Sequence, residues 1–191
     1  VGVLDYGSGN LHSVCRALEA AGAKVRLGQR VSDFDGAAGL VLPGVGAFAA
    51  CMSQLEAITG DELVRDWVAA GRKLLGICVG HQVLFARGVE HGVDSAGIGI
   101  FPGTVERLAA RRLPHMGWNT IGQTNSGLFK GFDKEEFVYF VHSFYVPLSN
   151  DTAAVTDYIH PFSAALHKDN FYATQFHPEK SGEVGLKLLN N

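Results

Sequence analysis

Leu74-Leu75-Gly76-Ile77-Cys78-Val79-Gly80-His81-Gln82-Val83-Leu84-Phe85 decides the fold. A short apolar run ends in a cysteine with a glycine two residues to either side, and apolar residues at helical spacing (Val79, Val83, Leu84) come next. The pattern predicts a buried strand, a sharp turn at Cys78 and a helix that begins just after it. The same strand-turn-helix logic presents the serine of a G-x-S-x-G elbow, here with sulfur in place of oxygen. Gly76 and Gly80 carry no Cβ, so backbone can crowd the turn and a small molecule can approach closely. A helix N-terminus beneath the sulfur favours thiolate over thiol. A lone cysteine is more often a small buried core residue. Two glycines at a strand-to-helix junction shift the reading toward a nucleophile.

Working outward, Val1–Asp5 reads as a first buried strand, and Tyr6-Gly7-Ser8-Gly9-Asn10 as a turn into a helix ended by Gly22. Ser8 or Asn10 is expected to cap that helix. Gly7-Ser8-Gly9 lacks the third glycine of a dinucleotide fingerprint, because His12 stands there. Strands are expected at Ala23–Leu27 and Gly39–Leu42, the latter ending in Pro43-Gly44-Val45-Gly46. Loops at strand C-termini build the site in such sheets, and a Pro-Gly-x-Gly turn exposes N–H groups suited to an oxyanion. Helices over Ala47–Ile58 and Glu62–Ala70 lead back to the strand Lys73–Ile77. Strand-helix alternation is expected through residue 87.

After Gly92 the chain turns to short β-prone pieces: Thr104-Val105, Met116–Thr120, Glu136–Val146 and Ala153–Tyr158. A hairpin over Ala164–Lys168 and Phe171–Gln175 and a last helix, Ser181–Leu189, close the chain. The expected fold is α/β and flavodoxin-like: three layers, α/β/α, with a mixed, mostly parallel sheet. Helices cover both faces, and the C-terminal part adds an antiparallel extension within a single domain, residues 1–191.

The 191 residues are 47% apolar with a net charge of −3, which gives no basic footprint for nucleic acid or membrane. No apolar run reaches spanning length, and no basic segment followed by an apolar one opens the chain. Three cysteines at unrelated spacings argue against a disulfide framework and for a reducing cytoplasm. Cys15 and Cys51 read as small core residues.

A thiolate nucleophile needs a base and a group to orient it. Of eight histidines, His12, His91, His115, His160 and His167 have no well-spaced carboxylate to orient them. His142 lies in an apolar strand and reads as a hydrogen-bonded core residue. His81 lies one helical turn after the cysteine. His177 is the strongest candidate, since Pro178 holds it extended and residues i and i+2 then share a side. Glu179 therefore lies beside the imidazole and fixes its tautomer. No HExxH or CxxC spacing occurs, so neither a metal nor another cofactor is expected.

With Gly76-Ile77-Cys78-Val79-Gly80-His81-Gln82 and Gln175-Phe176-His177-Pro178-Glu179-Lys180-Ser181 in hand, the sequence resembles the class I glutamine amidotransferases. Leu4–Asn10, Leu42–Phe48, Pro114–Asn119 and Phe140–Tyr145 make it similar to the glutaminase subunits of imidazole glycerol phosphate synthases. His81 departs from that subgroup, which usually has methionine there, and places a second imidazole near the expected pocket. The resemblance implies that Cys78 attacks the glutamine amide carbon, His177 moves the proton and Glu179 orients it. It implies oxyanion donors at Val79 and within Gly44, Val45 and Gly46, and glutamine-holding groups at Gln82, His142, Ser143 and Phe144. It also implies a (β/α)8-barrel cyclase partner, supplied with ammonia through a tunnel and met by Asn10, Met116, Trp118 and Lys180. The rival readings are a glutaminase for anthranilate, carbamoyl phosphate or purine synthesis, and a flavodoxin-like module without catalysis.

Overall fold

The computed structural model describes residues 1–90, 92–132 and 134–191, so His91 lies outside the described residues. The first half alternates strands and helices: β1 (Gly2–Leu4), α1 (Leu11–Ala20), β2 (Arg26–Gly28), β3 (Gly39–Gly44), α2 (Phe48–Ala57), α3 (Gly60–Ala69) and β4 (Lys73–Cys78). Then come α4 (Val79–Gln82), β5 (Phe85–Glu90), β6 (Val93–Ala96), β7 (Phe101–Arg107), β8 (His115–Ile121), β9 (Glu136–His142) and β10 (Phe144–Tyr145). The chain closes with β11 (Thr152–Tyr158), β12 (His160–Lys168), β13 (Phe171–Thr174) and α5 (Gly182–Asn190).

The main sheet has the order β11-β12-β13-β4-β3-β1-β2. The five strands from β13 to β2 are parallel, and β12 and β11 join antiparallel at one edge, as the sequence implied. The order steps from β1 out to β2 and then back to β3 and β4. Right-handed crossovers in opposite directions put the intervening helices on opposite faces. Loops leaving β1 and β3 therefore flank a topological switch point, where such sheets place their sites.

Two departures come from tertiary context. The helix after Cys78 is a single turn, and Phe85–Glu90, within and beyond the span read as helical, is strand β5. That strand joins β6, β7 and β10 in a separate four-stranded sheet, while β8 and β9 form their own ribbon. The antiparallel part is thus only partly an extension of the main sheet. The second departure is the start of α1, where Asn10 makes no side-chain cap and Ser8 bonds Val45 instead. The other end of α1 behaves as read: Gly22 takes φ +90° and its N–H returns to Glu19 O at 2.9 Å, a turn that glycine adopts without strain.

One buried cluster holds Leu42, Leu74, Ile77 and residues of α1, α2 and α3, and a second gathers Val138, Phe140, Phe162 and Phe176 beneath the β8–β9 ribbon. The strand ends at the elbow approach so closely that a Cβ on Gly80 would collide with the Leu42 carbonyl, and one on Gly44 with the Gly80 amide. Gly80→Ala is therefore expected to cost roughly 2–4 kcal/mol of stability, read as a lowered urea midpoint, because backbone rather than a pliable side chain must move.

Candidate active site

Cys78 ends β4 with φ 55° and ψ −112°, a conformation that L-residues rarely hold. Such a geometry costs on the order of 1–3 kcal/mol and persists only where its surroundings dictate it. Here the surroundings are β3 on one side and α4 above, made possible by Gly44 and Gly80. With α4 only four residues long, the helix dipole expected to favour the thiolate is that of a single turn.

β13 pairs with β4 in parallel, Thr174 beside Ile77, so both strands finish at the same edge. Just beyond β13, His177 is extended (φ −99°, ψ 98°) and Pro178 opens a short turn over Pro178–Lys180. The His177 N–H donates to Tyr139 O at 2.9 Å, and Ser181 Oγ donates to His177 O at 2.6 Å. The first of these bonds and the Tyr139 N–H, which donates to Ser181 Oγ at 3.0 Å, tie the segment to β9. The His177 ring is 2% exposed and its Nδ1 lies 2.7 Å from Glu179 Oε1. A carboxylate accepts, so Nδ1 carries the proton and Nε2 is left for the sulfur. Nε2 makes no full hydrogen bond, yet the ring lies close enough to Cys78 to be biased by it.

The four perturbed histidines show which effect wins where. Burial pushes His81 down to about 3, His142 to about 3 and His115 to about 4. Burial pulls His177 the same way, but Cys78 and Glu179 together outweigh it and raise the imidazole to about 10. The ring beside the sulfur is therefore held as imidazolium at neutral pH, while the other three stay neutral.

A cavity of about 230 Å³ opens over the sulfur. Cys78, Val79, His177, Val45 and Gly46 line one side, and Gln82, His142, Ser143 and Phe144 another. The structure thus brings together the sequence-derived catalytic and glutamine-holding positions and most of the oxyanion positions. Gly44 lies behind the turn against Gly80 rather than in the lining. The Val45 N–H donates to Ser8 Oγ at 3.2 Å, so in this conformation it is committed away from an oxyanion. Met116 and Trp118 stand 62% and 57% exposed on β8, and Lys180 Nζ lies 6.0 Å from the Tyr139 ring. Asn10 is half-buried at the start of α1.

His81 is not beside the cavity. It is fully buried with its ring edge toward Phe85, and neither nitrogen has a hydrogen-bond partner. Two polar residues escaped the sequence reading. Glu90 lines the cavity while its Oε2 accepts the Phe48 N–H at 2.7 Å. Ser8 both donates to Val45 O at 2.8 Å and accepts from its N–H. Glu90 sits in no motif that would betray it, and Ser8, read from its turn as a helix cap, gave no sign of its partner 37 residues away. Among the described residues, no cluster of three or more His, Cys, Asp or Glu could hold a metal ion, and no helix is long and apolar enough to cross a membrane.

A family model described as "Glutamine amidotransferase class-I" matches residues 2–191. The chain belongs to the class I glutamine amidotransferases. Within the family it resembles proteins named "Imidazole glycerol phosphate synthase subunit HisH". That of Bacteroides thetaiotaomicron is 49% identical over 195 residues, spanning 100% of this chain and 97% of the relative. That of Cutibacterium acnes is 52% identical over 193 residues, 99% of this chain and 93% of the relative. Among solved structures, PurLQS from Thermotoga maritima has a TM-score of 0.74 at 18% identity, covering 98% of this chain and 93% of that one. A "glutamine amidotransferase" has a TM-score of 0.73 at 20% identity, covering 100% and 98%. At that identity the likeness is one of fold. The full-length relatives at about half identity decide the branch: this family member is a glutaminase subunit of the histidine-biosynthetic kind.

The site carries two expected outcomes. Because His177 is raised by Cys78 and Glu179 against burial, Cys78→Ala and Glu179→Gln are each expected to lower its titration midpoint from about 10, and the double variant to bring it below 6.5, by NMR of the ring protons. His81, depressed to about 3, binds no proton in the folded state where the unfolded chain does, so it withdraws stability as pH falls from 6.5 toward 3. His81→Met removes a buried donor without a partner and is expected to add roughly 1–3 kcal/mol at pH 7 and more at pH 5, read from urea unfolding.

Proposed function

We propose that Cys78 is the nucleophile that cleaves the side-chain amide of glutamine, with His177 and Glu179 as its proton-transfer pair. The observation that carries the reading is one imidazole, braced by a buried carboxylate at 2.7 Å, meeting a strained cysteine at the mouth of a small cavity. The thiolate attacks the amide carbon, and the carbonyl oxygen becomes an oxyanion. The imidazolium Nε2–H passes its proton to the departing nitrogen, which leaves as ammonia, and a γ-glutamyl thioester remains. His177, now neutral, takes a proton from water as the hydroxyl adds to the thioester. Collapse releases glutamate and returns the sulfur and imidazolium to their starting state. Glu179 keeps Nδ1 protonated through both steps and stabilises the cation each time it forms.

Val79 and Gly46 border the cavity from the two strand ends and supply the oxyanion N–H groups; losing one such donor typically costs about a hundred- to a thousandfold in rate. Gln82, Ser143 and Phe144 hold the substrate, and the Glu90 carboxylate on the same wall suits its α-ammonium group. The relatives are named as subunits of imidazole glycerol phosphate synthase, which supports a partner here too. That partner is a barrel cyclase that takes the ammonia, in the cytoplasm, with Met116 and Trp118 as exposed anchors beside Lys180 and Asn10. Residues 1–191 act as one glutaminase domain. In the complex, Cys78→Ala is expected to abolish glutamine-dependent synthesis of imidazole glycerol phosphate while added ammonium still supports it. Loss of both would assign the cysteine to assembly rather than amide cleavage.

A further inference from the structure

Two buried histidines that take no part in the proton transfer are wired to the glutamine pocket. His115 opens β8 and His142 closes β9, and the two are paired directly across the ribbon. His115 Nδ1 lies 2.9 Å from His142 Nε2, and His142 Nδ1 lies 2.8 Å from Phe144 O. The same Phe144 O accepts from Gln82 Nε2 at 2.9 Å. At the far end, Asn119 Nδ2 lies 3.2 Å from His115 Nε2 and donates to Asp157 O at 2.9 Å.

The proton positions along this line are determined. A carbonyl oxygen only accepts, so His142 Nδ1 carries a hydrogen. Both rings are neutral at pH 7, since burial pushes them down to about 3 and about 4. His142 Nε2 is therefore bare, His115 Nδ1 must donate to it, and His115 Nε2 must accept from Asn119. Reversing any one ring would set two donors or two lone pairs against each other in a buried site. The His115 ring is also clamped, with its centroid 4.0 Å from that of Tyr158 and 4.9 Å from that of Phe140.

The line ends on the orientation of one amide. Gln82 Nε2 uses its hydrogens on Phe144 O and on Gln175 Oε1, each at 2.9 Å. Its Oε1 takes no hydrogen bond from the described residues, and the side chain lines the cavity over Cys78. Fixing Phe144 O fixes which end of that amide faces the substrate. We infer that His115 and His142 are positioning residues, forming a relay of single polarity that holds Phe144 O and so presents Gln82 Oε1 to an N–H donor of the bound glutamine. The inference rests on the glutaminase reading of the site. An acceptor at that point selects for an N–H donor, and a flipped amide would present its own N–H groups instead.

The test pairs two polar replacements that differ only in the bond kept. His142→Asn retains a donor where Nδ1 was and loses the link to His115. His142→Gln keeps the reach toward His115 and loses the donor to Phe144 O. Kinetics are measured with the barrel cyclase present. His142→Gln is expected to raise KM for glutamine by about five- to tenfold, the usual worth of one buried hydrogen bond, with a smaller change in kcat. His142→Asn is expected to recover most of that. Alkylation of Cys78 by iodoacetamide, which has no amino-acid head to be held, is expected to differ little between the two variants and not to follow their difference in KM. In ring-nitrogen NMR spectra of the full chain at pH 7, both histidines appear as the Nδ1–H tautomer, and His115→Phe turns His142 into a mixture. Equal KM in the two His142 variants, or a fall in iodoacetamide reactivity that tracks KM, overturns the relay in favour of a merely structural role. So does an Nε2–H tautomer at either ring. Failure of the wild-type complex to hydrolyse glutamine would instead sink the glutaminase reading, and the tautomer result would stand apart from it.

Discussion

The parallel pairing of β13 with β4 is the constraint on which the site depends. Phe171 to Thr174 run beside Leu74 to Ile77, and this brings together residues almost a hundred positions apart in the chain. Each strand contributes one half of the proposed reacting pair, Cys78 as the last residue of β4 and His177 three residues beyond the end of β13. Cys78 leaves β4 in a strained turn, and His177 leaves β13 in an extended one that proline prevents from coiling. Neither half holds its geometry alone. The strain at Cys78 is tolerated because glycines let β3 and α4 close around it. The imidazole is steered by bonds to Tyr139 and Ser181 from outside its own strand.

That mechanical arrangement also explains the electrostatics. Desolvation acts on every buried histidine with the same sign, and His81, His115 and His142 show it with little to oppose it. His177 is buried too, but a carboxylate on one side and the sulfur on the other outweigh the loss of water. Location, not residue type, makes one ring hold a proton and leaves the others neutral. The sign is set by whether an anion-forming group is packed within reach.

Much of this was legible in the chain because it depends on local chemistry. The strand at Lys73–Cys78 is a dense apolar run, the Asp169-Asn170 turn lies between two β-prone stretches, and His-Pro-Glu keeps imidazole and carboxylate close, although they meet across a short turn over Pro178–Lys180 rather than on one side of an extended segment. What could not be read is set by partners distant in sequence. Val79, Val83 and Leu84 suit a helix by spacing, but all three are buried, so their periodicity does not mark where the helix stops, and Phe85 starts a strand stacked on Phe101. Ser8 has the chemistry of a cap and spends it on Val45, 37 residues away. Glu90 closes a strand of mixed exposure and shows its role only when the cavity is assembled.

The turn after β3 shows why backbone groups are the hardest part of such a site to assign from sequence. Pro43-Gly44-Val45-Gly46 offers several N–H groups, and pattern alone cannot choose among them. Ser8 makes the choice by bonding both the N–H and the C=O of Val45, while Cys51 Sγ adds a second donor to that carbonyl at 3.2 Å. Tyr6, whose hydroxyl is pushed up mainly by burial and so remains a donor, anchors Pro43 O at 2.6 Å. One amide hydrogen serves one acceptor well, so the donor at Val45 is withdrawn from the sulfur side as long as the serine holds it. The oxyanion donors proposed above are therefore Val79 at the elbow and Gly46 at the tip of the turn. The shape of that turn is governed by three side chains outside the cavity lining, Tyr6, Ser8 and Cys51.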